Sequence, residues 1–396
     1  MPGQHSAGPS ALGYQYQTSW CLLELLRSGP ERPDAAITLE LHDDVAWDTH
    51  GSASELLQLK HHLNAAGSLT DQSADIWGTV RAWMDAGDPS DPLGPLLTLV
   101  TTSVATPGTA AHALRVDFRD VYAAVGRLRA AAIQSAARDT AVARARFIEL
   151  GPAGQQAFVS RMRVIDGAET IDNIDQRVRQ MLWAVLPVGD APAETFLALV
   201  WRWWSGVALD MLLRRRASVD VGEAHAAIAG LRDAFNADNL PTLVELADVN
   251  EDEVVAALGS CIFVQQMSWV EYGPVNLRKA IVDYYRAVTQ TTDWLDNDLV
   301  GRRELERFED NLRDEWARAF EDMLEDLALD ADDATKVELG KRLLRQLRDS
   351  TAIAVRSRYN DPFFARGKRH ELADIGQIGW HPEFQQRLEE MLAAST

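Results

Sequence analysis

The chain has 396 residues, 46% of them hydrophobic, and a formal net charge of −20 from 59 acidic against 39 basic side chains. That is enough length and apolar content for two or three folded domains. The acidity argues against an unaided, sequence-independent grip on nucleic acid, because duplex affinity comes from cation–phosphate contacts. Cys21 and Cys261 sit in apolar stretches and read as buried thiols of a reducing compartment rather than as a disulfide framework.

From Leu12 to Leu26, Tyr16, Trp20 and Leu23 recur at helical spacing, and Ser28-Gly-Pro30 stops the helix. The stretch Ile37–Trp47, the polar turn Asp48-Thr-His-Gly51-Ser and the run Glu55–Lys60 read as a β-hairpin. Ser68-Leu-Thr70 is read as opening a second helix that carries Ile76, Trp77, Val80, Trp83 and Met84 and closes at Gly87. Leu96–Thr102 is a continuous apolar run, as expected of a strand buried on both faces. Alanine-rich helices follow from Ala110 to Ala145, with a candidate strand at Ser160–Ile165. Phe196–Trp204 reads as a buried aromatic helix ending near Arg214-Arg-Arg216, and another helix begins at Val219–Glu223. Beyond a soft boundary at Leu240-Pro241, Glu251–Met267, Asn276–Trp294, Glu304–Leu327 and Ala334–Arg358 show apolar residues at three-to-four spacing against charged faces. The fold expectation is an N-terminal α/β/α sandwich followed by a mainly α-helical C-terminal region. The domains are set at 1–165, 166–240 as a helical extension, and 241–396.

The apolar stretches fall short of a membrane span, and Met1-Pro-Gly-Gln-His-Ser lacks the pattern of a signal peptide. The expectation is a cytoplasmic protein without membrane contact. The sequence carries no G-x-x-x-x-G-K-[ST] loop, so an ATPase partner would be another polypeptide.

Side chains two apart on a strand share a face, roughly 7 Å apart along it, so Gln58 and Lys60 project together while Leu57 and Leu59 point into a core. If Asp44 ends the neighbouring strand on that polar face, a carboxylate, an amide oxygen and an ammonium converge. Asp44, the Gln58 side chain and the Leu59 peptide carbonyl suit a hard cation such as Mg2+, with Mn2+ as the alternative. The metal would polarise a phosphodiester, and Lys60 would orient the attacking water or neutralise developing charge.

The order Asp44, then Gln58-x-Lys60, resembles the D-(E/Q)xK core of the PD-(D/E)xK nuclease superfamily in its Mrr-like branch. With Gly13-Tyr-Gln15-Tyr-Gln17 and Glu40-x-x-Asp43-Asp44-Val, it is similar to the double-stranded DNA endonuclease domain of bacterial anti-phage systems of the CBASS and Lamassu kind. The resemblance implies a restriction-endonuclease-like fold in which Asp44, Gln58 and Lys60 are catalytic. It adds support from Glu40 and from Gln17 or Gln15, and it implies self-association when active. Gln58 and Gln17 are neutral where glutamates are commoner, so the number of metals stays open.

Gly367-Lys-Arg-His370-Glu-Leu-Ala-Asp374 and Gly379-Trp380-His381-Pro382-Glu-Phe384 resemble the closing signature of the C-terminal domain in ABC-three-component conflict systems. Asp283-Tyr-Tyr-Arg286, Trp294 and Asn311-Leu-Arg-Asp314-Glu-Trp316 fit the same family, over about Leu240 to Leu388. The implied partners are a middle component and an SMC-like ATPase.

Several residues keep two readings at this stage. Glu40 is a second metal ligand or is paired with an arginine of the helical region. One of His61 and His62 faces the site. Arg214–Arg216 meets DNA phosphates or complements a helix end, and Trp201, Trp203 and Trp204 read as core or an oligomer contact. Lys368 and Arg369 touch a partner or are solvated, and His381 orders the lead into the last helix. The competing functions are a non-catalytic nuclease-fold interaction subunit and an effector that senses a cyclic oligonucleotide.

Overall fold

The computed structural model describes residues 8–62 and 67–394. The chain falls into two compact units, Met1–Leu186 with Leu197–Ala229, and Pro187–Phe196 with Gly230–Thr396.

The first unit is built on a mixed six-stranded sheet. Helix α1 (Gly8–Ser28) leads into three antiparallel strands, β1 (Ala36–Leu39), β2 (Val45–Thr49) and β3 (Ser52–Lys60). The Ile37–Trp47 stretch is therefore two strands rather than one arm of a hairpin. The chain reverses at Glu40–Asp44, where Glu40 takes a left-handed φ of 54° and its N–H bonds the Asp44 carbonyl at 3.1 Å. Asp43 Oδ1 accepts the Asp44 N–H at 2.9 Å, the local side-chain bond by which aspartate favours a turn over a continuing strand.

After β3 come the short strand β4 (Ser68–Leu69), helix α2 (Ala74–Ala86), β5 (Leu96–Thr101), which runs parallel to β3, and β6 (Val104–Ala105), which pairs with β4. The expected helix start at Ser68-Leu-Thr70 gives way to this small strand pair, and Ser73 caps α2 by accepting from the Asp75 N–H. Helices α3 (Ala110–Ala113), α4 (Val121–Gln134), α5 (Ala141–Glu149) and α6 (Gly151–Arg161) lead to β7 (Met162–Ile165), parallel to β5. Then follow α7 (Ile171–Met181), α8 (Asp190–Leu212), β8 (Val219–Asp220) against β1, and α9 (Val221–Asp233). Across the sheet the order is β7-β5-β3-β2-β1-β8. Of the stretch 166–240, the first unit holds α7, most of α8, β8 and most of α9, and the second holds residues 187–196 and 230–240.

Both faces of the sheet are covered. Ala46, Leu56, Leu97, Leu99 and Val164 share a core with Trp77, Trp83, Leu128, Phe147 and Phe158 from α2, α4, α5 and α6. On the opposite face Trp47 Nε1 donates to Glu24 of α1 at 3.0 Å, and Trp204 of α8 donates to the Thr18 carbonyl at 2.8 Å. Covering on both sides explains why β5 is buried from Leu97 to Thr101 and is made of leucine, valine and threonine.

The second unit is helical: α10 (Glu251–Leu258), α11 (Ile262–Trp269), α12 (Pro274–Asp296), α13 (Arg302–Glu325), α14 (Asp333–Asp349), α15 (Pro362–Asp374) and α16 (Phe384–Ala394). The expected Glu251–Met267 helix breaks at Gly259-Ser260, and the expected Ala334–Arg358 helix stops at Asp349. Its core gathers Trp294, Phe308, Phe364 and Trp380. Helices α12 and α15 approach so closely at Gly367 that a Cβ there would collide with the Asp283 carbonyl and the Ala287 methyl.

Candidate functional site

Alternation along β3 sends Leu56, Gln58, Lys60 and His62 to one face and Glu55, Leu57, Leu59 and His61 to the other. Strand β2 begins at Val45, opposite Leu57, so Leu59 lies past its end, beside the Glu40–Asp44 turn. The Leu59 N–H donates to Asp44 Oδ2 at 2.7 Å, and Gln58 Nε2 donates to the same oxygen. Because the N–H and C=O of one strand residue face the same neighbour, the Leu59 carbonyl is also turned toward the Asp44 side. Asp44 therefore stands before its strand rather than at the end of one, yet it meets Gln58 and Leu59.

The other selected residues surround this contact. Burial raises the Glu40 carboxyl above its usual range and the charge of Asp44 raises it further, while Arg214 and the Gln17 side chain pull it down. Arg214 Nη2 also donates to the Glu40 carbonyl, which favours pairing with a helical-region arginine for this residue. Gln17 Oε1 is buried and has no hydrogen-bond partner. Lys60 is half-buried and has no ion pair among the described residues.

Sequence reading passed over Asp43. Burial, its largest influence, pushes this carboxyl up to about 6, and the nearby Lys60 ammonium pulls it down. Trp83 Nε1 donates to its Oδ2 at 2.9 Å. The tandem Asp43-Asp44 ahead of a strand was the available signal: one acid faces α2 and the other faces β3.

The donors at this place are oxygen atoms: the Asp44 carboxylate, the Leu59 carbonyl and, after a half-turn of its amide, Gln58 Oε1. That chemistry fits a hard divalent cation. Glu40, Asp43 and Asp44 do not bring three ligand atoms within 4.8 Å of one another; among the described residues Asp333, His381 and Glu383 do so.

His61 stacks on Tyr16 with ring centroids 4.4 Å apart, and His62 Nε2 lies 2.6 Å from Asp75, so the two go to opposite faces. Arg215 pairs with Asp210 and Arg216 with Glu223, which ties two of the three arginines to their own helical neighbourhood. Trp204 is core, and Trp201 and Trp203 are half-buried. Cys21 is fully buried, but Cys261 is only partly so.

In the second unit, Lys368 and Arg369 are neither solvated nor free to touch a partner. Each is 1% exposed, Lys368 holding Glu309 at 2.6 Å and Glu371 at 2.7 Å, and Arg369 holding Glu315 at 2.5 Å. Gly379 lets Phe384 approach, and its carbonyl accepts from Trp316 Nε1 at 2.8 Å. His381 Nδ1 accepts the Glu383 N–H at 3.1 Å, fixing the lead into α16.

Residues 263–388 match the family model for C-terminal domain 7 of the ABC-three component (ABC-3C) systems. The chain thus carries an ABC-3C C-terminal domain. No curated protein matches the chain, and no solved structure does.

Within the ABC-3C domain, the Asp333, His381 and Glu383 cluster is already satisfied by cations, since Arg387 holds Asp333 and Lys336 holds Glu383. With Nδ1 of His381 accepting a backbone N–H, the neutral ring carries its proton on Nε2, the atom that faces Asp333 at 3.9 Å. A protonated Nε2 is not a metal ligand, so the cluster reads as an anchor for α16. No helix among the described residues is long and apolar enough to cross a membrane.

Proposed function

We propose that the first unit is a divalent-cation-dependent DNA endonuclease, and that the chain serves as the cutting effector of an anti-phage ABC-three-component complex. The observation that carries this reading is the meeting of Asp44, Gln58 and Leu59 at the end of β3, with Lys60 one residue on. The order of helix, three antiparallel strands, helix and parallel strand supports the restriction-endonuclease-like reading, and the ABC-3C domain supports attachment to a middle component and an SMC-like ATPase.

In this reading Asp44, Gln58 and the Leu59 carbonyl hold Mg2+ or Mn2+. The bound ion would act as a Lewis acid on the scissile phosphodiester. Lys60 positions the attacking water and offsets negative charge gathering on the phosphate oxygens. Arg214 and Gln17 hold Glu40 beside Asp44, which keeps the turn in place. One such site cuts one strand, so double-strand cleavage calls for two copies brought together, with self-association suppressed until the complex is triggered. Delivery of DNA by a partner reconciles the reaction with a chain of net charge −20.

A second reading has its own observation. The neutral Gln58 already satisfies Asp44, an arrangement that suits a nuclease-like fold serving only to bind DNA or another subunit. Incubating the purified chain with supercoiled plasmid separates the two. Nicking that requires Mg2+ or Mn2+, stops with EDTA and disappears in Asp44→Ala and Lys60→Ala establishes the enzyme. Plasmid bound but left uncut under the same conditions, and also after the partner subunits and ATP are added, identifies the binding subunit.

A further inference from the structure

The second unit contains an open cleft of about 610 Å3 lined by α12, α14, α15 and the Trp380 loop. Its size is that of a small-molecule site. In a chain where acids outnumber bases by twenty, six of its lining side chains are Arg or Lys and two are carboxylates. Several of these cations are matched by acids, Arg366 by Asp283 and Arg369 by Glu315 among them. Lys279 and Arg286 have no ion-pair partner among the described residues. Arg286 lays its guanidinium 3.6 Å over the Phe363 ring and donates to the Val244 carbonyl, so it is held in place without an ion pair, although the Asp283 carboxylate, paired with Arg366, also acts on its charge.

Three lining residues also end in buried polar atoms without a hydrogen-bond partner: Arg369 Nη1, His370 Nδ1 and Trp380 Nε1. The residues themselves are 1%, 5% and 0% exposed. Native chains seldom leave several buried polar atoms without partners in one place. The remaining wall is apolar and aromatic, with Tyr272, Val282 and Leu344. Guanidinium forks and an ammonium recognise phosphate oxygens, and a ring-sized apolar wall takes a flat heterocycle.

We infer that this cavity binds a phosphate-bearing small molecule of nucleotide size, with its phosphates toward Lys279, Arg286 and Arg369 and its heterocycle against the Tyr272 and Trp380 side. The inference is independent of the nuclease reading. It gives the ABC-3C domain a ligand-responsive role in addition to attachment: occupancy would join α12, α14 and α15 through one molecule. The volume of the cleft is that of a small-molecule site and far below that of a duplex segment.

The test is calorimetry on the full chain with ATP and with inorganic pyrophosphate, in EDTA so that cations at the first unit play no part. ATP is expected to bind saturably at one per chain and at least tenfold more tightly than pyrophosphate. Lys279→Glu, an exposed position, should weaken ATP at least tenfold with unchanged thermal unfolding. Trp380→Phe keeps the ring and removes the N–H, and it should weaken ATP severalfold, with circular dichroism confirming the fold. Asp44→Ala should leave ATP binding as it was. The inference is overturned by no saturable ATP binding at millimolar concentration, by binding unchanged in both cavity variants, or by pyrophosphate binding as tightly as ATP.

Discussion

The Asp44 carboxylate accepts a hydrogen bond from the side-chain amide of Gln58, fourteen residues further on, and a second from the neighbouring Leu59 N–H. Removing the acid leaves two donors without an acceptor. Asp44→Ala should therefore destabilise the first unit by roughly 1–3 kcal/mol as well as abolish nicking. Gln58→Glu separates the two roles. It places a second carboxylate against Asp44, so without cation it should lower the melting temperature. Added Mg2+ should then recover more stability than it does in the parent chain, as ligand binding to the native state must. A scanning calorimetry series with and without Mg2+ reads both, and a Gln58→Glu protein indifferent to the ion would remove Gln58 from the proposed metal site.

Glu55 gives a prediction for the opposite face of β3. It is 5% exposed, pairs with Arg32 at 2.6 Å and accepts from the Thr98 hydroxyl at 2.5 Å, and Arg32 in turn lies over the Trp47 ring. Glu55→Ala strands both partners and should cost about 3 kcal/mol, whereas Glu55→Gln keeps the hydroxyl contact and should cost less. Denaturant unfolding of the two variants checks the order; equal losses would mean that the charge contributes nothing.

The α12–α15 contact should tolerate no side chain at position 367. Gly367→Ala meets the Asp283 backbone, which cannot rotate away as a side-chain tip would, so overpacking of about 1–3 kcal/mol is expected. Gly206→Ala in α8, where a Cβ meets nothing within 4 Å, is the matched control and should be neutral or slightly stabilising. Hydrogen exchange along α15 should rise in the first variant and stay level in the second.

Acid should weaken the second unit through His370. Burial pushes this imidazole down to about 3, with Arg369 and Arg366 adding to the effect. The unfolded chain takes up the proton near pH 6.5 and the native state does not. The stability associated with the neutral ring is therefore complete above pH 6.5 and is lost as pH falls toward 3, by about 2 kcal/mol at pH 5. His370→Phe retains an aromatic against Phe263 and should lack this loss. The difference in melting temperature between parent and variant, followed from pH 7 to pH 5, should change in favour of the variant; a constant difference would show that the ring takes up its proton at the same pH in the fold as in the unfolded chain.

Local patterns were legible wherever one short-range rule dominated. Alternation in Glu55–Lys60 gave β3 and its two faces, the unbroken apolar run gave β5, and three-to-four spacing gave α12 and α13. The reading failed where polar residues act through the backbone. Asp43 bonding the Asp44 N–H turned one expected strand into two, and Ser73 rather than Ser68 capped α2. Composition suggested that Lys368 and Arg369 lie at the surface, but both are interior because Glu371 of the same helix and Glu309 and Glu315 from α13 neutralise them.

By itself the sequence determined which residues could carry chemistry: an acid, an amide and an amine near two strands, and a C-terminal signature rich in glycine and aromatics. Those are properties of residue type and spacing, and spacing is enough to fix faces within one element. The tertiary structure decided what those residues meet. It set Asp44 against Gln58 and Leu59 across a turn, drew Arg214 to Glu40 and lined a cleft with cations in an acidic chain, because such meetings depend on which elements pack together and not on the distance between residues in the chain.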